Sequence, residues 1–110
     1  MNPTEPAELM VAVCDTLLPG DGQFPRASLT GTQAVVASRL RARYGGNVFE
    51  TLASDLGIGG TTFAALPDAE RVATLDALQI AKPDFFAFLL MATYLAYYAT
   101  PPVIEAIRLD

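Results

Sequence analysis

The chain reads as an all-α protein: a compact bundle of about five to six helices around a central aromatic-rich helix, with residues 1–110 forming a single helical domain. Three observations predict this. Apolar residues recur at helical spacing in successive segments, each bounded by Pro, Gly or a capping residue. No segment alternates with period two, and no Asn-Gly or Asp-Gly lies between apolar alternations, so no strand is expected. Residues 85–99 carry no charge and six of the ten aromatic residues fall between 85 and 98, the pattern of a helix buried on nearly all sides.

The elements follow in order. Thr4 caps a first helix over about 6–18, with Pro6 in its tolerant first turn. Leu9, Val13 and Leu17 form its apolar stripe, with Met10 and Cys14 beside them; Glu8, Ala12 and Asp15 take the other side. Pro19-Gly20-Asp21-Gly22 stops it, and a loop containing Phe24-Pro25 and Ala27-Ser28 runs to about Gly31. A second helix spans about 32–44 on the stripe Val36, Leu40, Tyr44; Arg39, Arg41 and Arg43 crowd its C-terminal half, where cations suit the helix dipole. Gly45-Gly46 ends it, and Asn47 with Glu50 opens a third helix in the manner of a capping box. Phe49, Leu52 and Leu56 line that helix and Gly57 closes it; Ile58-Gly59-Gly60-Thr61-Thr62 is a loop. A fourth helix begins at Pro67 with Asp68 and Glu70 in its first turn, and Ala69, Val72, Leu75 and Leu78 make its inner face. Pro83-Asp84 starts the aromatic helix, Pro101-Pro102 stops it, and Val103, Ile104 and Ile107 belong to a short last helix.

Composition excludes several function classes. Apolar residues make up 52% of the chain, charged residues only 17%, and the mean hydropathy is +0.34. The chain is therefore no disordered polymer, and a small domain with so few charges is expected to turn part of an apolar surface toward a partner. Seven Lys and Arg against twelve Asp and Glu give a net charge of −5, which argues against nucleic acid. With no histidine and one cysteine, His bases, His or Cys zinc sites and intrachain disulfides are all excluded. The aromatic helix is too short for a membrane span, which needs about 20 apolar residues. The acidic start, Met1 to Pro6, followed by a segment broken by Glu8 and Asp15, is unlike a signal peptide. As written, the chain is expected in the cytoplasm, or in the periplasm if a partner carries the export signal.

The candidate motifs reduce to structure. Gly57 to Thr62 has neither the lysine nor the preceding strand of a phosphate loop. Asp15 and Asp21 lack the ligand spacing of a calcium loop and are read as turn residues. The three arginines are a solvated face or a contact with an acidic partner. Cys14 is read as a buried, inert thiol, an intersubunit disulfide being the other possibility. No catalytic, cofactor-binding or metal-ligating residue is assigned.

The aromatic helix carries the sharper reading. At about 100° per residue, Phe85, Leu89, Ala92 and Ala96 share one face; Phe86, Leu90, Thr93 and Tyr97 share a second; Met91, Tyr94 and Tyr98 share a third. A domain this small can cover two of these faces. A buried tyrosine needs a hydrogen-bond outlet, so at least one of Tyr94, Tyr97 and Tyr98 is expected to touch a partner, with Pro101-Pro102 at the rim of the contact; the other reading is a helix that is simply core. The second place for an interface is Leu18, Pro19 and Asp21 with the Phe24-Pro25 loop.

Two segments together resemble the gluconate 2-dehydrogenase subunit 3 family. One runs Cys14-Asp15-Thr16-Leu17-Leu18-Pro19-Gly20-Asp21-Gly22, then Phe24-Pro25 and Ala27-Ser28; the other holds Phe85-Phe86, Thr93-Tyr94, Tyr97-Tyr98, Pro101, Val103 and Ala106. They cover about a third of the chain. The resemblance implies a helical, non-catalytic small subunit that binds and stabilises a FAD-dependent GMC-type sugar or alcohol dehydrogenase or oxidase as a heteromer, the FAD lying on that large subunit. Many members also escort the large subunit out of the cytoplasm by a twin-arginine leader, which this sequence does not display. The alternative function is a free-standing helical domain that binds a small apolar ligand between its helices, lined by Phe, Tyr and Met.

Overall fold

The computed structural model describes residues 6–108 and contains, among them, six α-helices and no strand. They are α1 (Pro6–Leu17), α2 (Thr32–Tyr44), α3 (Val48–Leu56), α4 (Asp68–Ala81), α5 (Pro83–Tyr98) and α6 (Pro101–Arg108), with 3₁₀ turns at Ala27–Thr30 and Phe63–Ala65. The all-α bundle expected from periodicity and punctuation is the observed architecture. The expected cap Thr4 lies outside the described residues.

The helices pack through their stripes. One contiguous core draws on all six: Met10, Val13 and Cys14 of α1, Val36 and Leu40 of α2, Leu52 and Leu56 of α3, Leu75 and Leu78 of α4, Leu89 and Ala92 of α5, and Val103 of α6. α5 packs along α2 and α4, while α1 packs along α2 and both 3₁₀ turns. Cys14 of α1 meets Thr93 of α5 at the centre, and the Thr93 hydroxyl also donates to the Leu89 carbonyl at 2.7 Å. That local bond is how a buried hydroxyl is satisfied inside an apolar helix.

Four departures from the sequence reading have physical causes. Residues 58–65 are more than a connector. Ile58 and Thr61 form an isolated bridge around Gly59 and Gly60, whose φ angles of 53° and 85° suit a tight two-residue turn. The turn delivers Phe63, 1% exposed, into the core. The inner face of α4 is rotated: Arg71, Thr74, Leu75 and Leu78 turn inward, whereas Ala69 and Val72 face outward. The Arg71 guanidinium lies over the Phe63 ring and donates to the Ala64 carbonyl, so its stem occupies the place assigned to Val72. Asn47 makes no side-chain cap because its backbone angles are already helical rather than the extended ones that aim a capping side chain at the first turn. Finally, Ala12, read as part of the outer side of α1, is buried, while Tyr44 at the end of the α2 stripe is exposed.

Candidate partner-binding surface

α5 is hydrophobic all round but not covered all round. Phe86, Leu89, Ala92, Thr93, Ala96 and Tyr97 are buried, which accounts for two of its three faces. The third, Met91, Tyr94 and Tyr98, is open to solvent together with Leu95; their exposures run from 40% for Tyr94 to 59% for Leu95. Residues at i, i+3, i+4 and i+7 lie on one arc of a helix, so the four form a continuous apolar stripe about two turns long. Leu95 escaped the sequence reading. Its position four residues after Met91 was the available signal. The Tyr94 and Tyr98 rings sit 6.3 Å apart, centroid to centroid.

Tyr97 departs from the expectation. It is 3% exposed, and its hydroxyl donates to the Pro25 carbonyl, so the outlet that a buried tyrosine needs lies within the chain itself. Burial, with the neighbouring Tyr98 and Asp21, pushes its phenol up from the ordinary value. Tyr97 is thus a core residue that presents only its edge to Tyr98, at 5.3 Å.

The bond from Tyr97 to Pro25 belongs to a wider junction. Gln23 Nε2 donates to the Ala106 carbonyl at 3.4 Å, and the Ala27 amide donates to the Leu18 carbonyl at 3.0 Å. Within this loop Asp21 Oδ1 accepts from the Gln23 and Phe24 amides at 2.8 and 2.7 Å, which holds its carboxyl below the usual carboxylate range. Asp15 accepts from the Ser28 amide and hydroxyl at 2.8 and 2.6 Å. Both carboxylates are thereby committed to the turn, as their spacing implied. The fold therefore brings together the two sequence segments that carry the resemblance, around 14–28 and 85–106. Leu18 and Phe24 pack half-buried against the core, while Pro19 and Asp21 are exposed. Pro101 and Pro102 are exposed too, but they open α6 rather than merely end α5, at a bend of 70° between the two helices.

One flank of the stripe is basic. Phe88, half-buried on α5, lies under the Arg43 guanidinium at 5.2 Å; Arg43 also covers Tyr44 at 5.6 Å, and Arg41 covers Phe49 at 5.1 Å. Tyr44 in turn contacts Phe85 and Phe88 at 5.0 and 5.7 Å. Among the described residues no carboxylate pairs with Arg39, Arg41 or Arg43; the ion pairs are Arg26–Asp15, Arg71–Asp68 and Lys82–Asp55.

Three clefts lie elsewhere. One, about 480 Å³, is walled by Glu8, Glu50, Ser54, the Gly59-Gly60 turn and Thr62 over Leu9 and Phe63. A second, about 360 Å³, lies between Tyr44, Thr51 and Phe85 with the Lys82–Asp55 pair at its edge. A third, about 500 Å³, lies along α1 between Val11, Ala12, Asp15 and Arg71. None uses the Met or Tyr side chains of α5. Among the described residues no three His, Cys, Asp or Glu side chains gather as metal ligands. Cys14 is buried and its thiol is pushed up to about 12, chiefly by burial and then by the Asp15 charge, so it is a poor nucleophile at neutral pH. No single helix among the described residues is long and apolar enough to cross a membrane.

Compared with protein-family models, curated proteins and solved structures, the chain finds no match in any of the three.

Proposed function

We propose that this chain is a non-catalytic accessory subunit that binds and stabilises a FAD-dependent, GMC-type dehydrogenase or oxidase. The observation that carries the reading is the open face of α5. Met91, Tyr94, Leu95 and Tyr98 expose a run of large apolar side chains on the helix that otherwise forms the centre of the core. Methionine and tyrosine are enriched at the centres of protein interfaces, and an aromatic anchor there contributes more than its area. The class of partner comes from the family resemblance, whose two segments meet at the Tyr97–Pro25 and Gln23–Ala106 junction. The buried, protonated Cys14 thiol and the turn-bound carboxylates of Asp15 and Asp21 are also not poised for nucleophilic chemistry.

The alternative, a small apolar ligand held between the helices by Phe, Tyr and Met, draws less support. The cleft of about 480 Å³ is rimmed by two glutamates and a glycine turn, that of about 500 Å³ by Glu8, Asp15 and Arg71, and only that of about 360 Å³ reaches aromatic side chains, Tyr44 and Phe85, with no methionine. The test is co-expression with a GMC-type flavoprotein large subunit, sought first in the gene adjoining the one for this chain. The expected result is a yellow complex on size exclusion, a colourless chain when expressed alone, and a flavoprotein that unfolds sooner without it. A flavoprotein that elutes alone and is equally stable alone would overturn the reading, as would bound flavin on the isolated chain.

A further inference from the structure

We infer that the partner meets this chain with an acidic surface, placing carboxylates opposite Arg39 and Arg43 along the flank of the α5 stripe. This rests on the accessory-subunit reading above and adds the chemistry of the partner's side of the contact.

The charge distribution motivates it. The protein has a net charge of −5 and only seven cationic side chains. Arg26, Arg71 and Lys82 are each paired with an aspartate of the chain itself, and Arg108 ends α6. The other three, Arg39, Arg41 and Arg43, are gathered on the exposed C-terminal half of α2 with no carboxylate partner among the described residues. Three of the seven cationic side chains, none of them ion-paired among the described residues, thus fall within five residues of one helix. The helix dipole favours cations in the last turn of α2, where Arg41 and Arg43 lie, but Arg39 sits a turn earlier.

Geometry places the charge beside the stripe. The Arg43 guanidinium is held over Phe88 and Tyr44. From Phe88, Met91 is one turn and Leu95 two turns further along the same side of α5. Arg39 lies one turn before Arg43 on the same side of α2, the helix that packs along α5. An apolar centre edged by charge is the anatomy of a protein interface. A guanidinium stacked on aromatic rings keeps its in-plane donors free, and those donors match a carboxylate in bidentate fashion. A basic partner surface would be repelled there, and an apolar one would leave the arginines desolvated and unpaired. A partner that carries acids beside an apolar pocket satisfies both halves of the face.

The experiment measures association of the co-expressed GMC-type flavoprotein with this chain as a function of salt, for wild type, Arg39→Glu, Arg39→Glu with Arg43→Glu, and Arg43→Lys. The expected outcome is association slowed by about tenfold or more in the double reversal, with a flattened salt dependence, and in Arg43→Lys an association rate little changed with faster dissociation, since the charge stays and the stacked fork is lost. Arg39 is exposed and makes no ion pair among the described residues, so Arg39→Glu alone carries the test if the double variant does not fold. A complex that forms at the same rate and with the same salt dependence in Arg39→Glu overturns this inference and leaves the accessory-subunit reading intact. Absence of any complex overturns both. Vesicles of phosphatidylglycerol and phosphatidylcholine form the last arm. Binding to them that is lost on charge reversal, while flavoprotein association is unchanged, assigns the arginines to a lipid surface and overturns the acidic-protein partner.

Discussion

Gly20→Ala should unfold this protein's loop junction, while Gly22→Ala two residues away should not. Gly20 has φ +81°, and a Cβ built there falls 2.5 Å from the Arg26 nitrogen and 2.8 Å from both the Phe24 oxygen and the Pro25 carbonyl carbon. All three are backbone atoms, which cannot swing aside as a side-chain tip can. Placing alanine in the left-handed region costs about 1 kcal/mol. Displacing residues 24–26 also loosens the Asp21 amide bond to the Phe24 carbonyl, 2.8 Å, and the Tyr97 hydroxyl bond to Pro25, at about 1 kcal/mol each. The expected loss is therefore about 3 kcal/mol, or a fall in Tm of roughly 10–20 °C for a domain of this size. At Gly22 an added Cβ meets nothing within 4 Å. Urea and thermal unfolding of both variants, followed by circular dichroism, compare them directly. If Gly20→Ala is as stable as Gly22→Ala, the tight approach of the loop to itself, and with it the anchoring of Tyr97, is wrong.

Two further outcomes probe the chemistry of the same region. Cys14 should resist a thiol reagent in the folded protein at pH 8 and react fully once urea unfolds it. Its pKa rises from 9.0 to about 12 on folding, so the thiol stabilises the fold below pH 9 and that contribution is lost as pH climbs toward 12; fast labelling of the native protein would contradict its burial. Asp21 should titrate below 3.8 in a carboxyl NMR experiment because two backbone amides donate to it. With a depressed folded pKa, its contribution is present above the unfolded value and fades as pH falls through the folded one; a midpoint at or above 3.8 would mean the turn is not formed in solution.

Punctuation made most of the fold legible. Gly45 and Pro83 are backbone facts that act locally, so the end of α2 and the start of α5 are legible from residue types alone, whereas Pro101, read as the stop of α5, also opens α6. What stayed hidden depends on contacts distant in sequence. Phe63 sits in a Gly- and Thr-rich stretch with no period to mark it, and only the Ile58–Thr61 turn directs it inward. The inward turn of Arg71 is invisible to a hydrophobicity pattern, because its stem packs while its guanidinium finds the Ala64 carbonyl and the Phe63 face. Tyr97 is the instructive case. The requirement that a buried tyrosine find an acceptor was sound, but the acceptor is a backbone carbonyl seventy-two positions away along the chain, and no property of residue 25 advertises it. For Tyr94 and Tyr98 no such acceptor is present among the described residues, and both are exposed.

The most direct test of the central claim compares the affinity of the flavoprotein complex for wild type and for Tyr94→Ala with Tyr98→Ala. Both side chains are at least 40% exposed, so the double variant should keep the helical circular dichroism and unfolding midpoint of the wild type. Truncating an aromatic anchor at an interface costs about 1–3 kcal/mol, and Kd should rise by about ten- to a hundredfold, chiefly through faster dissociation. A folded double variant that binds the flavoprotein as tightly as wild type would contradict the account, because the open face of α5 would then have no part in the complex.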